Sequence, residues 1–368
     1  MPPASLREQE GKIQMINNNQ TTVFVGLSGG VDSSVTAALL KKAGYNVVGV
    51  FIRTWQPDFI ECSFREDRLD AMRVAAHLDI PFLECDAEEA YKKGVADYMI
   101  EEYRAGRTPN PDIMCNREIK FGVFWNFAKE RGADFIATGH YAQNTEGTLV
   151  KAVDPSKDQA YFLYRLTNKD LEHVMFPLGG LLKSDVRTLA EKFDLPTAEK
   201  KDSQGICMLG DLDLKDFLSH YIPSVRGDVL NENGEVVGHH DGALFLTLGE
   251  RHGFTITKKT PNDERYYIVA KDIAKNTVTV SFEKNTHTHT DAKMEYMIGT
   301  LSWVSEAPDA GVSYTAQIRY HGTYLPCTVT EVLDGTCIVA FEEPILAARG
   351  QSIVIFDGEK CLGGGIIH

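Results

Sequence analysis

The chain has 368 residues, 43% of them hydrophobic, and carries a formal net charge of −14 at pH 7. This length predicts two or three domains, with enough apolar side chains for a sizeable core. No apolar run reaches the ~20 residues of a membrane span, and the polar start lacks the apolar core of a secretory signal. We therefore expect a cytoplasmic globular protein without a membrane partner, in which residues 1–20 form a flexible tail.

Charge and cysteine usage exclude further classes. The negative net charge opposes nonspecific binding of nucleic acid, so any contact with RNA must be confined to local basic patches of defined shape. The seven cysteines are an odd, scattered set without a CxxC pair. That pattern argues against a disulfide framework, a zinc site and an Fe–S cluster, and it leaves buried or reactive thiols.

Strands and helices alternate from residue 21. The β-rich runs TTVFVGL (21–27), YNVVGVFI (45–52) and PFLECD (81–86) are separated by the helical stretches SSVTAALLKKAG (33–44) and RLDAMRVAAHLDI (68–80). This alternation predicts an α/β domain with a parallel sheet that helices cover on both faces. The later run ADFIATGH places Gly139 and His140 at the carboxyl end of a strand, where such sheets bind ligands.

Beyond about residue 210 the pattern changes to short strands with turn signals. The stretch VRGDVLNENGEVVGHHDGALFLTLGE (225–250) contains an Asn-Gly turn, and β-rich runs dominate from about residue 293. Regular short strands of this kind predict a small β-barrel. We expect an α/β domain over 21–218, a small central domain over 219–292 and a C-terminal β-barrel over 293–368.

The loop GLSGGVDSS (26–34) follows the first strand and contains no lysine. A Walker A loop needs a lysine that reaches the β- and γ-phosphates. Residues Ser28 to Ser33 instead offer successive backbone N–H groups, two hydroxyls and a helix N-terminus, which suit a departing pyrophosphate. The loop therefore favours attack at the α-phosphate of a nucleotide, with release of pyrophosphate. A glycine turn that only joins strand to helix is the alternative.

Two further blocks each carry a cysteine beside basic residues. In GRTPNPDIMCNREIKFG (106–122) we interpret residues 110–112 as a turn, which places Cys115 near a helix N-terminus with Arg117 and Lys120 close by. In EKKDSQGICMLG (199–210) Cys207 follows a polar loop that contains lysines. Positive surroundings lower the pKa of a thiol and make it nucleophilic. A buried, inert role for Cys115 is the alternative.

A fourth block, DPSKDQAYFLYRL (154–166), combines a polar turn with an aromatic run. Lys157, Asp158 and Gln159 are candidates for contact with a phosphate or a base edge. The aromatic periodicity favours core positions for Tyr161, Phe162 and Tyr164 over a stacking platform.

The SGGVDS block resembles the PP-loop of ATP pyrophosphatases, whose domain is adenine nucleotide alpha hydrolase-like. With the other three blocks and the terminal CLGGGII (361–367), residues 21–368 resemble the bacterial-type tRNA-uridine 2-sulfurtransferases, also called tRNA-specific 2-thiouridylases. The resemblance implies ATP-dependent 2-thiolation of the wobble uridine in tRNAs for Lys, Glu and Gln. ATP, with Mg²⁺, would adenylate the uracil C2 oxygen, and a cysteine persulfide would supply the sulfur.

The resemblance also implies roles for individual residues. Cys207 would carry the persulfide received from a cysteine desulfurase or a sulfur-relay protein, Cys115 would be the partner nucleophile, and Asp112 would act as acid/base or orient the base. The ATP-binding residues would be Gly26, Leu27, Ser28, Gly29, Gly30, Val31, Asp32, Ser33, Ile52 and Gly139. The residues that contact the target base would be Asn110, Pro111 and Asp112. The residues that contact the tRNA anticodon stem-loop would be His140, Lys157, Asp158, Gln159, Arg319, Tyr320 and Gln351. Members of this family are expected to act as monomers.

The chain departs from the family pattern in two places. FIRTW (51–55) stands where many members have a Met-Lys-Asn-Trp form, and TLGERHGF (247–254) has Glu250 and His252 where Gln and Lys are common. The second departure removes positive charge from the central domain and puts a tRNA contact there in doubt.

Two other functions compete with thiolation. An ATP-dependent amidotransferase or ligase would keep the loop but leave Cys115 and Cys207 without a role. A noncatalytic RNA-binding paralogue would need neither the loop nor the cysteines.

Overall fold

The computed structural model describes residues 20–59, 64–202, 208, 213–258, 265–282, 292–333 and 335–368. Cys207 and all but the last residue of the expected N-terminal tail lie outside this part of the chain. Within it, the strands form three β-sheets. No helix of the described residues is long and apolar enough to cross a membrane.

The strands, in chain order, are β1 (Thr22–Gly26), β2 (Asn46–Arg53), β3 (Phe82–Asp86), β4 (Phe135–Ala137), β5 (Gln143–Thr145), β6 (Thr148–Val150), β7 (Val174–Met175), β8 (Gly227–Leu230), β9 (Val236–His240), β10 (Phe254–Ile256), β11 (Tyr267–Asp272), β12 (Thr277–Ser281), β13 (Lys293–Trp303), β14 (Ser313–Gln317), β15 (Leu325–Leu333), β16 (Thr336–Ile345), β17 (Ser352–Asp357) and β18 (Lys360–Ile367). The α-helices are α1 (Val31–Lys42), α2 (Phe64–His77), α3 (Glu88–Tyr91), α4 (Tyr98–Arg104), α5 (Pro111–Met114), α6 (Phe124–Lys129), α7 (Ala160–Leu163), α8 (Asn168–Leu171), α9 (Lys183–Lys192) and α10 (Leu214–Ser219). Lys92–Asp97 and Cys115–Val123 are π-helical, and Ala243–Phe245 is a 3₁₀ turn.

The first sheet is parallel and has the strand order β3-β2-β1-β4-β7. In its register Val25 of β1 pairs with Gly49 on one side and Ala137 on the other. The predicted α/β domain with a parallel sheet is therefore confirmed. Because β1 is central, its carboxyl end and that of β4 open at the same edge, which is where ligands bind in such sheets.

Helix α1 packs against α9 beside this edge. Val35 and Leu39 of α1 share an apolar cluster with Val186 and Leu189 of α9, and all four side chains are buried. This contact brings the first turn of α9 to the first turn of α1, although the two helices are far apart in sequence.

The central unit is built on a sheet with the order β10-β9-β8-β12-β11. The Asn-Gly signal in the sequence corresponds to the turn between β8 and β9, where Gly234 has φ +80°. Side chains of this unit also pack outside it: Phe245 lies in one apolar cluster with Tyr103 and Phe217. The central unit is thereby anchored to the α/β domain.

The C-terminal strands form the predicted barrel. Their order is β13-β16-β15-β14-β17-β18, and β13 also pairs with β18, which closes the sheet. The hairpin β5–β6 of the α/β domain extends the same sheet through the pairing of Val150 with Lys360. Local sequence patterns did not indicate that a hairpin of the α/β domain extends the sheet of the barrel.

The α/β domain and the barrel share an apolar core. Phe124 and Tyr161 from the first and Val354 and Phe356 from the second belong to one buried cluster. Tyr161 also donates a hydrogen bond from its hydroxyl to the Ser352 carbonyl at 3.0 Å. Tyr161 and Tyr164 are fully buried, so their predicted core positions are confirmed, whereas Phe162 packs at the edge of the cluster.

Candidate active site

The phosphate loop, residues 26–34, joins β1 to α1 with the geometry of an anion cradle. Gly29 has φ +76°, and a Cβ there would lie 2.3 Å from the Asp67 carbonyl oxygen, so only glycine fits. Ser28 and Ser33 place their hydroxyls 3.2 Å apart across the turn. Gly30 is the N-cap of α1 and provides no side-chain acceptor. Helix geometry leaves the first N–H groups of α1 without an intrahelical acceptor, and such groups can bind an anion.

Gly139 closes the other side of this cradle. A Cβ on Gly139 would lie 2.9 Å from both the Asp32 carbonyl carbon and the Ser33 nitrogen. The chain after β4 therefore runs directly against the first turn of α1, and a larger residue would push the helix start aside. The structure thus brings together the sequence-predicted residues of the loop and Gly139.

Asp32, in the first turn of α1, binds two partners that the sequence did not indicate. Lys183 approaches both carboxylate oxygens, with Nζ 2.7 Å from Oδ1 and 2.9 Å from Oδ2. Tyr141 donates its hydroxyl to Oδ1 at 2.8 Å. Burial and the adjacent Asp32 charge raise the pKa of Tyr141, so the phenol remains protonated.

Asp202 links this pair to the 154–166 block. Its carboxylate contacts Lys183 at 2.8 Å, Lys157 at 2.9 Å and Arg187 at 2.5 Å. Burial alone would raise the pKa of Asp202, but hydrogen bonds and charges from Lys183 and Lys157 lower it to about 2. Asp202 is therefore ionised and holds Lys157 in the neighbourhood of the phosphate loop.

Asp158 and Gln159 also use their side chains inside the protein. Asp158 Oδ1 accepts from the Ala152 amide at 2.8 Å, and burial raises the pKa of this carboxyl. Gln159 Oε1 accepts from the Tyr141 amide at 2.9 Å. Both side chains shape the segments next to the phosphate loop, and their predicted contact with tRNA stays a prediction.

Cys115 occupies a different helical position from the predicted one. The expected turn at 110–112 is wrong because Asn110 is the N-cap and Pro111 the first residue of α5, where proline's missing N–H costs nothing. Cys115 then lies one turn inside a continuous helical segment. It is fully buried, in one apolar cluster with Met99, Ile119 and Phe217.

The basic residues near Cys115 in sequence engage other partners. Arg117 pairs with Asp170 at 2.8 Å. Lys120 Nζ lies 3.2 Å from His140 Nε2, and Thr138 Oγ1 lies 2.8 Å from His140 Nδ1. Burial and the neighbouring Lys120 charge hold the pKa of His140 well below 6.5. A neutral ring that accepts at Nε2 carries its proton at Nδ1, so His140 is a buried hydrogen-bond relay in this structure.

Cys207 lies outside the described residues, but its neighbour Met208 does not. Met208 packs against the apolar cluster that contains Cys115, and its carbonyl accepts from Gln56 Nε2 at 2.9 Å. Ile52 packs against the same cluster, and its Cδ1 lies 4.0 Å from the position of a Cβ on Gly26. Ile52 therefore connects the phosphate loop with the surroundings of Cys115.

The candidate base-binding residues lie at the seam between the α/β domain and the barrel. Asn110 Oδ1 accepts from the Ser352 amide at 2.9 Å, which places Asn110 beside Gln351. The rings of Tyr320 and Phe162 pack against each other at a tilt of 37°, with centroids 4.2 Å apart. Burial first, and then the charges of Asp158 and Asp112, raise the pKa of Tyr320 to about 12. The structure thus gathers Asn110, Pro111, Asp112, Tyr320 and Gln351 along one seam.

The departure at 247–254 lies next to the exposed Arg319. A Cβ on Gly249 would meet Arg319 Nη1 at 3.1 Å. Glu250 turns inward, where its Oε2 accepts from the Thr247 amide at 2.9 Å and burial raises the pKa of its carboxyl. Burial also lowers the pKa of Lys271 to about 8, while Glu250 acts in the opposite direction. The carboxyl of Glu250 therefore lies within the central unit, where the charges of His252 and Lys271 act on it.

Sequence reasoning missed Lys183, Tyr141 and Asp202. One local signal marks Lys183: a lysine in the first turn of a helix opposes the helix dipole and requires a compensating anion. Nothing in the sequence identifies Asp32 as that anion.

We predict that Gly139→Ala weakens ATP binding by about tenfold, because the added methyl group displaces the N–H groups of the anion cradle. Gly180→Ala is the matched control, since a Cβ at Gly180 meets nothing within 4 Å. Titration calorimetry with ATP measures both variants. Equal dissociation constants would show that the close approach at Gly139 does not shape the cradle.

We predict that His140 makes the protein less stable in acid. The unfolded chain protonates this residue below pH 6.5 while the native state keeps it neutral, so the unfolded state binds more protons and stability falls as pH drops. Between pH 7.5 and 5.5 the wild type should lose about 1 kcal/mol more than His140→Gln. Urea unfolding at the two pH values measures this difference. Equal losses would contradict the prediction.

Three family models match the chain in consecutive segments. They are the tRNA methyl transferase HUP domain at residues 21–211, the tRNA methyl transferase PRC-barrel domain at 215–282 and the Aminomethyltransferase beta-barrel domain at 293–367. Their order agrees with the parallel-sheet domain, the central unit and the terminal barrel of the structure.

Curated relatives match over nearly the whole chain. The tRNA-specific 2-thiouridylase MnmA of Listeria innocua is 45% identical over 361 residues, which cover 95% of each chain. That of Enterococcus faecalis is 42% identical over 367 residues, 96% of each chain. Among solved structures, the U34-tRNA thiolase NcsA from Methanococcus maripaludis is 20% identical with a TM-score of 0.38, and the match covers 58% of this chain and 70% of that one. This overlap is too limited to support a functional inference. The identity to the curated relatives and the three family models show that the chain belongs to the tRNA-specific 2-thiouridylase family.

Proposed function

We propose that the protein is a tRNA-uridine 2-sulfurtransferase that thiolates the wobble uridine of tRNAs for Lys, Glu and Gln in an ATP-dependent reaction. One observation carries the proposal beyond family membership. Ile52 lies against both Gly26 of the phosphate loop and the apolar cluster that contains Cys115 and Met208. The phosphate loop and the candidate sulfur-transfer site therefore lie on either side of one side chain, that of Ile52.

The phosphate loop supplies the activation step. A uracil C2 oxygen is a poor leaving group until it carries a phosphoryl substituent. In the first step the C2 oxygen bonds to the α-phosphate of ATP, and the bond to the β-phosphate oxygen breaks, so pyrophosphate leaves. The N–H groups at the start of α1 and the hydroxyls of Ser28 and Ser33, 3.2 Å apart, would hold that pyrophosphate.

Mg²⁺ fits this site as an ion held largely by the nucleotide. No group of three or more His, Cys, Asp or Glu side chains among the described residues is arranged to hold a metal. Asp32 provides one carboxylate at the loop, and Mg²⁺ commonly combines one or two carboxylates with substrate phosphates. The ion would neutralise phosphate charge there. The proposed reaction needs neither zinc nor an Fe–S cluster.

The two cysteines supply the sulfur. A donor protein, a cysteine desulfurase or a sulfur-relay protein, transfers sulfane sulfur to Cys207 as a persulfide. Cys115 attacks the Cys207 sulfur, which forms a Cys115–Cys207 disulfide and frees hydrosulfide. Hydrosulfide then attacks C2 of the adenylated uracil and expels AMP. A cellular thiol reduces the disulfide with two electrons and completes the cycle. The packing of Met208 on the cluster around Cys115 supports this pairing.

The seam between the α/β domain and the barrel is the proposed tRNA site. A base that undergoes such attack must leave its stack, so a flipped wobble uridine enters beside Asn110, Pro111 and Asp112. Asp112 would orient this base or move a proton. Arg319, Tyr320 and Gln351 from the barrel would hold the anticodon stem-loop, next to His140 and Lys157 to Gln159. We propose a cytoplasmic monomer that acts on one tRNA.

We predict that Cys115→Ser and Cys207→Ser each reduce thiolation by at least about a hundredfold and leave tRNA binding intact, because a hydroxyl cannot carry or cleave a persulfide. Cys85→Ser is the matched control, since Cys85 is also buried and burial raises the pKa of its thiol to about 11. Nucleoside mass spectrometry measures 2-thiouridine, and filter binding measures tRNA affinity. Retained 2-thiouridine in either variant, with free sulfide excluded, would refute the two-thiol mechanism.

We predict that Asp32→Ala abolishes tRNA-dependent release of pyrophosphate, because the carboxylate organises the first turn of α1 through Lys183 and Tyr141. Asp32→Asn keeps the shape and the hydrogen bond from Tyr141 but removes the charge, and it should fail similarly. A coupled pyrophosphate assay with tRNA transcripts measures release. Unchanged release in both variants would remove the loop from the chemistry.

A further inference from the structure

Lys183 occupies a position that is unfavourable for a lysine. It is the first residue of α9, and the N-terminal end of a helix carries partial positive charge. Its side chain is also only 14% exposed. A lysine that is both desolvated and set against a helix dipole requires anions nearby.

The anions that hold Lys183 come from two sides. Asp32 of the phosphate loop lies 2.7 Å from Nζ, and Asp202 lies 2.8 Å from it. The ring of Tyr141 lies 5.6 Å from the same atom. Lys183 is therefore fixed beside the first turn of α1 although its own sequence neighbourhood contains no nucleotide motif.

The N–H groups of the cradle, and not an excess of cations around Lys183, favour a further anion. Among the described residues, three cations, Lys183, Lys157 and Arg187, lie next to Asp32 and Asp202, and a third carboxylate, Asp154, accepts from the Lys183 amide at 2.9 Å. The cations lie beside the N–H groups at the start of α1, which form the anion cradle. A polyphosphate in this cradle would compete with Asp32 for the ammonium group.

We propose that Lys183 is a catalytic residue that binds the β,γ-phosphates of ATP and stabilises pyrophosphate as it leaves, in place of the lysine that the loop itself lacks. This inference rests on the proposed adenylation. In the resting protein Asp32 and Asp202 hold the ammonium group at the edge of the cradle. On ATP binding, the ammonium group of Lys183 turns from the carboxylates of Asp32 and Asp202 towards the phosphates. The four-carbon stem allows this short movement, and lysine binds phosphate as a compact point charge.

The step needs no proton from Lys183. The bond between the α-phosphorus and the bridging oxygen breaks, and pyrophosphate takes the electron pair. The developing negative charge lies on the β-phosphate, where a fixed ammonium group lowers its energy.

Lys183→Met tests the proposal, because methionine preserves most of the stem and removes the charge. We expect ATP and pyrophosphate to bind about ten- to a hundredfold more weakly, as for the loss of one charged hydrogen-bonding partner. AMP lacks the β,γ-phosphates, so its affinity should change less than about twofold. Lys183→Arg should restore a part of the pyrophosphate affinity. Titration calorimetry on tRNA-free protein measures all three ligands.

Asp202→Asn separates this role from a purely structural ion pair. The substitution removes one of the two carboxylates that compete for Lys183 and leaves Asp32 in place. If Lys183 binds the leaving group, pyrophosphate should bind Asp202→Asn more tightly than wild type, opposite in sign to Lys183→Met. If the network only stabilises the fold, both variants should weaken the binding of pyrophosphate and AMP alike, and that result would overturn the proposal.

The same titrations distinguish failure of this inference from failure of the proposed function. Wild-type protein that does not bind ATP or pyrophosphate would contradict the proposed function. Equal affinities of wild type, Lys183→Met and Lys183→Arg for ATP and pyrophosphate would contradict only the role of Lys183. Should Lys183→Met not fold, as judged by circular dichroism, the opposite signs expected for Asp202→Asn and Lys183→Arg still decide the question.

Discussion

The position of the first turn of α1 is the constraint on which the candidate site depends. Backbone from two other segments touches this turn: the Asp67 carbonyl at Gly29 and the chain after β4 at Gly139. No side chain fits at either place. These contacts aim the N–H groups of α1 into the edge of the parallel sheet, where an anion gains both hydrogen bonds and the field of the helix dipole. The loop can then bind phosphates without a lysine of its own.

The remaining charges and thiols are arranged around that turn by packing between distant segments. The α1–α9 cluster brings Lys183 to Asp32, and the ionised Asp202 brings Lys157 to the same place. On the other side of the turn, Ile52 lies between the loop and the apolar cluster around Cys115 and contacts both. In the proposed reaction, burial protects the Cys115 thiol from solvent and oxidants until it attacks the persulfide.

The barrel completes the site and does not act as a detachable binding module. It shares a hydrophobic core with the α/β domain, accepts the β5–β6 hairpin as an extension of its sheet, and positions Ser352 against Asn110. Because these contacts fix the seam, side chains from two domains lie together where the proposed reaction needs a flipped base. This also reconciles the acidic total of the chain with an RNA substrate: the proposed contacts are few and local.

The sequence by itself determined the fold class, the order of the three units and the phosphate loop. These features depend on local signals: alternating strand and helix patterns, the glycines of SGGVDS and the turns before the barrel strands. It also predicted buried positions for Tyr161 and Tyr164. It misplaced the helix start before Cys115, because Asn110 and Pro111 are favourable both in a turn and at the beginning of a helix. Only the tertiary structure decided that His140 is a buried neutral ring, that Lys157 and Lys183 meet at Asp202, and that Lys183 lies at the phosphate loop. The physical reason is distance along the chain: Asp32 and Lys183 are 151 residues apart, and their contact follows from the packing of α1 against α9, which no local pattern encodes.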